Sequence, residues 1–397
     1  MLNKYNILKF HFFIIYIVSF FSLPITYIYL GQIETTPFTL GILFLNNLLF
    51  IIFHLKFVHY NLWFLILMPL ILVNFSLGIL KDYYFINILK DTLNIIMFFF
   101  KINIIIFLTK EKKYKDLIVN YIIKYAYVCL IAATITIFLF YFVINSNKFY
   151  LGITPTLSPI LSYSLFNNNI FYVLLTFILI FLSGKRAIIL SSIIISISHY
   201  FLFRHSIKST FIFFLISPLF IFLAFKTPIF ERSFDKIVFS LNFINTNNNL
   251  NNISGGRLTE NISIIKNLKH IDLLIGKGAG FRYDLTTNHL ILSKNKNNAH
   301  FMPLGFVSKY GIIIFLIFLF LIIKALINND EPKFYIFKLI LLSFLIENLF
   351  SYLIFNDKII HFIIGTLVLS KKIKSKKNLL EPTPLLHPHV DKENKKN

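Results

Sequence analysis

The sequence predicts an all-α polytopic membrane protein, and three observations carry that reading. Of its 397 residues, 57% are hydrophobic and only 14% are charged, against about 25% charged in soluble domains. The apolar residues are gathered into runs of about 20, the length of a helix that spans a bilayer. Runs such as Ile104 to Leu108 and Ile312 to Ile323 do not alternate, whereas the strands of a membrane barrel alternate over about ten positions. Lipid leaves helices as the remaining solution, because every backbone polar group must be satisfied internally.

The runs come in order. The first covers Leu8 to Tyr29, the second Phe38 to Leu55 and the third Leu62 to Leu80, closed by Lys81-Asp82. The fourth, Phe85 to Leu108, ends at Lys110-Glu111-Lys112-Lys113-Tyr114-Lys115, the strongest basic cluster of the first half. Positive residues mark the cytoplasmic side, so the fifth run, Leu117 to Ile144, leads outward. Leu151 to Leu165 holds Gly152, Pro155 and Pro159; it reads as a thin, broken or re-entrant sixth crossing. Ile170 to Leu182, Ala187 to Phe203 and Phe211 to Phe225 follow, then one long polar interruption. Leu304 to Ile327, Phe334 to Phe355 and Ile359 to Leu369 close the bundle.

This gives about twelve transmembrane helices and four regions: residues 1–225 as an N-terminal bundle, 226–303 as a large outer loop with short helices, 304–370 as C-terminal helices and 371–397 as a disordered tail. The count agrees with charge. Counting the sixth segment puts Lys110–Lys115, Arg204–Lys208 and Lys371–Lys377 on one side, and the loop on the other. The net charge of +22 follows from lysines at the ends of runs, so it points to membrane orientation and not to nucleic acid. The single cysteine, Cys129, lies mid-run and reads as a packed thiol.

Function is sought in the loop, since binding and catalytic residues concentrate on loops held by a rigid scaffold. Four places stand out. Lys185 and Arg186 follow Ser183-Gly184 between two apolar runs at the outer face; Arg186 reads either as a snorkelling anchor or as a substrate-path cation. Arg257 follows Ser254-Gly255-Gly256 and precedes Leu258, Ile262, Ile265 and Leu268, the spacing of an amphipathic helix over Leu258 to His270. It therefore stands at or near a helix start, where free N–H groups and the dipole favour anions, and reads either as an anion-binding residue or as an ordinary solvated arginine. The segment Gly276-Lys277-Gly278-Ala279-Gly280, with Arg282 after it, lacks the strand–helix context of a dinucleotide fingerprint; its glycines suit a tight turn or close backbone approach. His300, after Asn297-Asn298-Ala299, reads either as a packing or hydrogen-bonding residue at the membrane edge or as a group that exchanges a proton near neutrality. No metal-ligand spacing is visible.

The order of these motifs resembles the O-antigen polymerase and O-antigen ligase superfamily of bacterial surface polysaccharide assembly. The resemblance runs from Ser183 to Phe315 through Ser-Gly-x-Arg, Gly-Gly-Arg-Leu, Ile275-Gly276-x-Gly, Asn-Ala-His and Lys309-Tyr310-Gly311. It implies a GT-C-like glycosyltransferase bundle in the bacterial inner membrane, with cytoplasmic termini and a periplasmic loop. The donor it implies is an undecaprenyl-pyrophosphate-linked oligosaccharide. The acceptor glycan is another lipid-linked repeat unit for a polymerase or lipid A-core for a ligase, and a chain-length regulator is a possible partner.

By that resemblance Arg186 and Arg257 bind the pyrophosphate and His300 is the essential histidine. Lys185, Gly276, Gly278, Gly280, Arg282 and Asn298 complete the expected substrate site. The family often has Asn directly after this histidine; Phe301 stands there here, and Asn298 is the substitute considered. No cofactor or metal is expected, because the arginines supply the positive charge. The Phe-, Ile- and Asn-rich character favours the polymerase over the ligase. A lipid-linked oligosaccharide flippase is the rival from another class; transporters tend to show two related halves, and none is visible.

Overall fold

The computed structural model describes residues 4–28, 36–138, 157–182, 186–203, 257–287, 290–296, 301–328, 332–349 and 358–368. Among them the helices, numbered here in chain order, are α1 (Lys4–Ile28), α2 (Thr36–His54), α3 (Leu62–Leu80), α4 (Phe85–Leu108), α5 (Lys112–Phe138), α6 (Ser158–Phe166), α7 (Ile170–Leu182), α8 (Arg186–Phe203), α9 (Arg257–Lys266), α10 (His270–Ile275), α11 (Met302–Ile327), α12 (Pro332–Leu349) and α13 (Ile360–Val368). Four of them, α3, α4, α5 and α11, are long and apolar enough to cross a membrane, and α1, α2, α7 and α8 carry shorter apolar stretches. The chain is thus a mainly helical protein with membrane-spanning helices.

Local chemistry sets the ends. α3 stops at a turn in which Asp82 takes φ 53°, a left-handed conformation that Asp tolerates better than most residues. The α6–α7 turn uses Asn168 in the same way, at φ 53°, and Asn169 Oδ1 then accepts the Tyr172 N–H at 3.3 Å, capping α7. Pro159 and Pro303 sit in the first turns of α6 and α11, where a missing N–H costs nothing. α6 has 9 residues, about 14 Å of helix against a hydrocarbon core of ~30 Å. The sixth run, expected over Leu151 to Leu165, is helical only from Ser158 within the described residues.

A large core joins α1, α4, α11, α12 and α13 around fully buried phenylalanines such as Phe12, Phe98, Phe306, Phe318, Phe337 and Phe362. A smaller one joins α5, α6, α7 and α8. In lipid, helices gain little from the hydrophobic effect against one another; dispersion and interhelical hydrogen bonds hold them. Phe306 stacks on Phe318 at 5.6 Å between centroids, and Phe12 on Tyr121 at 4.8 Å.

The bundle has two distinct ends. Lys113 Nζ lies 4.9 Å from the Tyr5 ring and Lys115 Nζ 4.1 Å from the Phe334 ring, while Phe57 packs on Phe107 at 5.5 Å. The starts of α1, α5 and α12 and the ends of α2 and α4 therefore share the basic end. At the other end, the outer tips of α3, α4 and α11 receive residues 257–296.

That segment departs from the expected loop of short helices in two respects. The amphipathic helix expected over Leu258 to His270 is split into α9 and α10 by Asn267–Lys269. Beyond Arg282 the chain forms an antiparallel hairpin, β1 (Tyr283–Thr287) with β2 (Leu290–Lys296), paired as Tyr283↔Lys296 and Thr287↔Leu290. The β-branched Thr286, Thr287 and Ile291 favour strand, and period-2 contacts with a partner strand override the helical bias of the rest of the chain.

Candidate functional site

The site is organised by a backbone strap, Gly276 to Phe281, that threads between α3, α4 and α11. α11 is broken at Gly311, which takes φ 82° and ψ 165°. The break frees carbonyls inside a long apolar helix, and each freed oxygen must find a donor. Lys277 N donates to Ser308 O at 2.9 Å and Gly278 N to Lys309 O at 3.1 Å. Asn74 Nδ2, from α3, donates to Tyr310 O at 3.2 Å and to Ile275 O at 2.7 Å. Ala279 N donates to Asn74 O at 3.0 Å and Gly280 N to Asp91 Oδ2 at 3.1 Å. Together with Gly276 N on Asp272 O and Phe281 N on Gly278 O, the strap leaves no N–H from 276 to 281 unpaired.

Close approach explains the glycines. A Cβ on Gly276, itself at φ 83°, would lie 2.2 Å from Lys309 O; one on Gly311 would lie 2.3 Å from Leu274 O. Gly278 and Gly280 pack in the same manner against α3 and α4, near the Gly78 backbone and the Ile88 side chain.

Beside the strap lies a buried charge cluster. Asp91 Oδ2, on α4, accepts Arg282 Nη1 at 2.9 Å and Lys309 Nζ at 3.1 Å. The Tyr310 hydroxyl donates to the Asp91 carbonyl at 3.1 Å. Lys309 is 3% exposed, Asp91 7% and Arg282 11% at their side chains. Two cations thus meet one carboxylate in a setting of low dielectric, where an uncompensated charge is costly. Arg282 Nη2 is buried without a hydrogen-bond partner.

α10 is pinned by a second pair. Lys81 Nζ donates to Asp272 Oδ1 at 3.1 Å, and Asp272 Oδ2 accepts the Lys269 N–H at 3.0 Å. Burial by itself raises the Asp272 carboxyl, but the Lys269 N–H and the Lys81 ammonium overcome it and hold the group below the usual carboxylate range. Burial draws the Lys277 ammonium below its ordinary value, against the pull of Asp272. The hairpin is tied to α9 by the Tyr283 hydroxyl, which donates to Glu260 Oε1; burial and that carboxylate keep the phenol protonated.

A third polar cluster lies within the smaller core. Glu347 Oε1, on α12, accepts the hydroxyls of Ser158 on α6, Ser191 on α8 at 3.1 Å and Ser343 at 2.8 Å. Glu347 is 5% exposed. It joins three helices at a level some ~22 Å along α12 from the basic end, one and a half turns from the start of α8.

Arg186 and Arg257 are each the first residue of a helix, α8 and α9. Gly276, Gly278, Gly280 and Arg282 come together with Asn74, Asp91 and Lys309, where the glycines contact protein backbone and Arg282 is committed in part to Asp91. Lys185, Asn298 and His300 lie outside the described residues. Sequence reasoning passed over Asp91 and Glu347, and took Lys309 only as part of the Lys309-Tyr310-Gly311 motif, with no role of its own. The signal was present: each is an ionisable residue inside an apolar run, which marks a functional or structural centre. Among the described residues no group of three His, Cys, Asp or Glu is placed to hold a metal ion. Comparison with protein-family models, curated proteins and solved structures finds no match to this chain.

Proposed function

We propose that the chain is a membrane glycosyltransferase of the O-antigen polymerase type. It transfers a glycan from undecaprenyl pyrophosphate to the terminal sugar of another lipid-linked repeat unit. In this reading the chain crosses the bacterial inner membrane about twelve times, with cytoplasmic termini and a periplasmic segment 226–303. The observation that supports it best is the position of the two arginines. Both open helices, α8 and α9, at the end of the bundle remote from Lys110–Lys115. A helix start and a guanidinium act on an anion in the same sense.

The chemistry follows from that placement. The acceptor hydroxyl attacks the anomeric carbon, the bond from that carbon to the pyrophosphate oxygen breaks, and configuration inverts. Negative charge grows on the lipid pyrophosphate, where Arg186 and Arg257 stabilise it; such preorganised charge contributes several kcal/mol. His300 takes the hydroxyl proton, a contribution of roughly 10²–10⁴ in rate.

Size analysis of surface glycan from a strain lacking the gene tests the reading. Lipid A-core capped by a single repeat unit supports polymerase. Loss of all capped core with accumulation of long lipid-linked polymer identifies a ligase instead. Unaltered glycan overturns both.

A further inference from the structure

α9 and α10 bury acidic and hydroxyl side chains while leaving large apolar ones exposed. α9 buries Glu260 and Ser263, at 2% exposure each, and presents Ile262 and Ile265 at 44% and 57%. α10 buries Asp272 and presents Ile271, Leu273 and Leu274 at 57%, 41% and 51%. Ile262 and Ile265, like Ile271 and Leu274, are three residues apart and share a helix face. In a water-facing helix the apolar stripe turns to the core and the polar residues to solvent; α10 does the reverse, and α9 does so in part, since its Ile264 is fully buried with Phe281 and Tyr283 while Ile262 and Ile265 face out. The polar groups are not buried by default, because Glu260 accepts from Tyr283 and Asp272 pairs with Lys81.

Two further observations identify what lies outside. The exposed face of α10 is continuous with apolar surface on the spanning helices: Leu274 O lies against Gly311, next to Ile312 and Ile313 at 38% exposure, and Leu80 ends α3 at 79%. Around the turn between the helices Lys266 and Lys269 are exposed, cations of the kind that snorkel to the headgroup layer beside an interfacial helix. The strap that follows has every N–H from 276 to 281 paired with protein, the condition for irregular backbone at membrane depth.

We infer that α9 and α10 form a lipid-facing element, with the Ile262/Ile265 and Ile271/Leu274 faces sunk in the leaflet at that end of the bundle, at the boundary of headgroups and acyl chains. The inference rests on the chain spanning a membrane and not on the transfer reaction. Combined with that reaction, it puts the Arg257 end of α9 at the headgroup layer, where the phosphates of a lipid-linked donor lie.

Spin labels on single cysteines test this in proteoliposomes of phosphatidylethanolamine and phosphatidylglycerol. Cys129 is fully buried and is replaced by Ala or left as an unlabelled thiol. Ile265→Cys, Ile271→Cys and Leu274→Cys are compared with Lys266→Cys for collision with oxygen, which concentrates in lipid, and with a water-soluble nickel chelate. The inference expects the oxygen-to-chelate ratio at all three apolar positions to exceed that at Lys266→Cys several-fold. A ratio equal to that at Lys266→Cys would place the face in water and overturn it. Low collision with both reagents would mean that protein, such as a second copy of the chain, covers the face, which also overturns it. A protein inactive in glycan transfer gives the same readout, so failure of the enzyme reading is separable.

Discussion

A Cβ on Gly311 would lie 2.7 Å from the backbone nitrogen of Gly276. These two glycines, both at positive φ, let the strap pass through the break in α11 at backbone contact. No side chain fits between them, and no flexible atom can move aside.

Gly276→Ala and Gly311→Ala should therefore each destabilise the protein. Positive φ alone costs on the order of 1–3 kcal/mol, and the backbone overlap adds to it. Gly41→Ala is the control, since nothing lies within 4 Å of a Cβ there; it should be neutral or slightly stabilising. Thermal unfolding in detergent at matched expression separates the two outcomes.

Asp91→Asn should be among the most damaging substitutions outside the arginines. It leaves Lys309 and Arg282 beside a neutral group in a buried site, and breaking such a pair costs about 3–5 kcal/mol. Asp91→Asn with Lys309→Met should recover part of the loss, because one buried cation is removed. Additive losses in the double variant would show that the groups do not couple.

Glu347→Ala should loosen α6, α8 and α12 together, since three hydroxyls converge on one carboxylate oxygen. A hydrogen bond of this kind contributes about 0.5–1.5 kcal/mol net. Glu347→Gln keeps an acceptor and should lose less. The check is the melting temperature of both variants, with proteolysis of the α8 region as the local readout.

Asp272 gives a pH dependence of definite sign. Its folded pKa lies below the ordinary carboxylate value, about 3.9 in the unfolded chain. The stability it contributes is therefore fully present above that value and is lost as pH falls through the lower folded pKa. The melting difference between wild type and Asp272→Asn should be constant from pH 7 to about 5 and shrink below about pH 4. Lys81 is 34% exposed, so salt should reduce the difference by screening. A difference that widens on acidification would contradict the pairing.

Much of the helical scaffold was legible because hydrophobic run length is a local signal. The expected runs at Leu62–Leu80, Phe85–Leu108 and Ile170–Leu182 coincide with α3, α4 and α7. The strap was legible only as far as glycines that permit close approach; its partner was not, because Gly276 meets residues more than thirty positions away. Asp91 and Arg282 are 191 residues apart and Ser158 and Glu347 are 189 apart. Apolar composition carries no record of such pairings. The hairpin was missed because Tyr283–Lys296 is polar and short, so no apolar alternation announced it. The exposed apolar faces of α9 and α10 were read as the stripe of an ordinary amphipathic helix, since spacing fixes a stripe but not the solvent it faces.

The account stands most directly on the transfer site, and complementation of the deletion strain tests it. Arg186→Ala, Arg257→Ala and His300→Ala are expressed at matched membrane abundance, and surface glycan is resolved by size. The account expects all three to reach the membrane and to lose long glycan while core capped by one unit persists, a loss of at least 10²-fold in polymer for His300→Ala. A normal ladder in all three variants would contradict it.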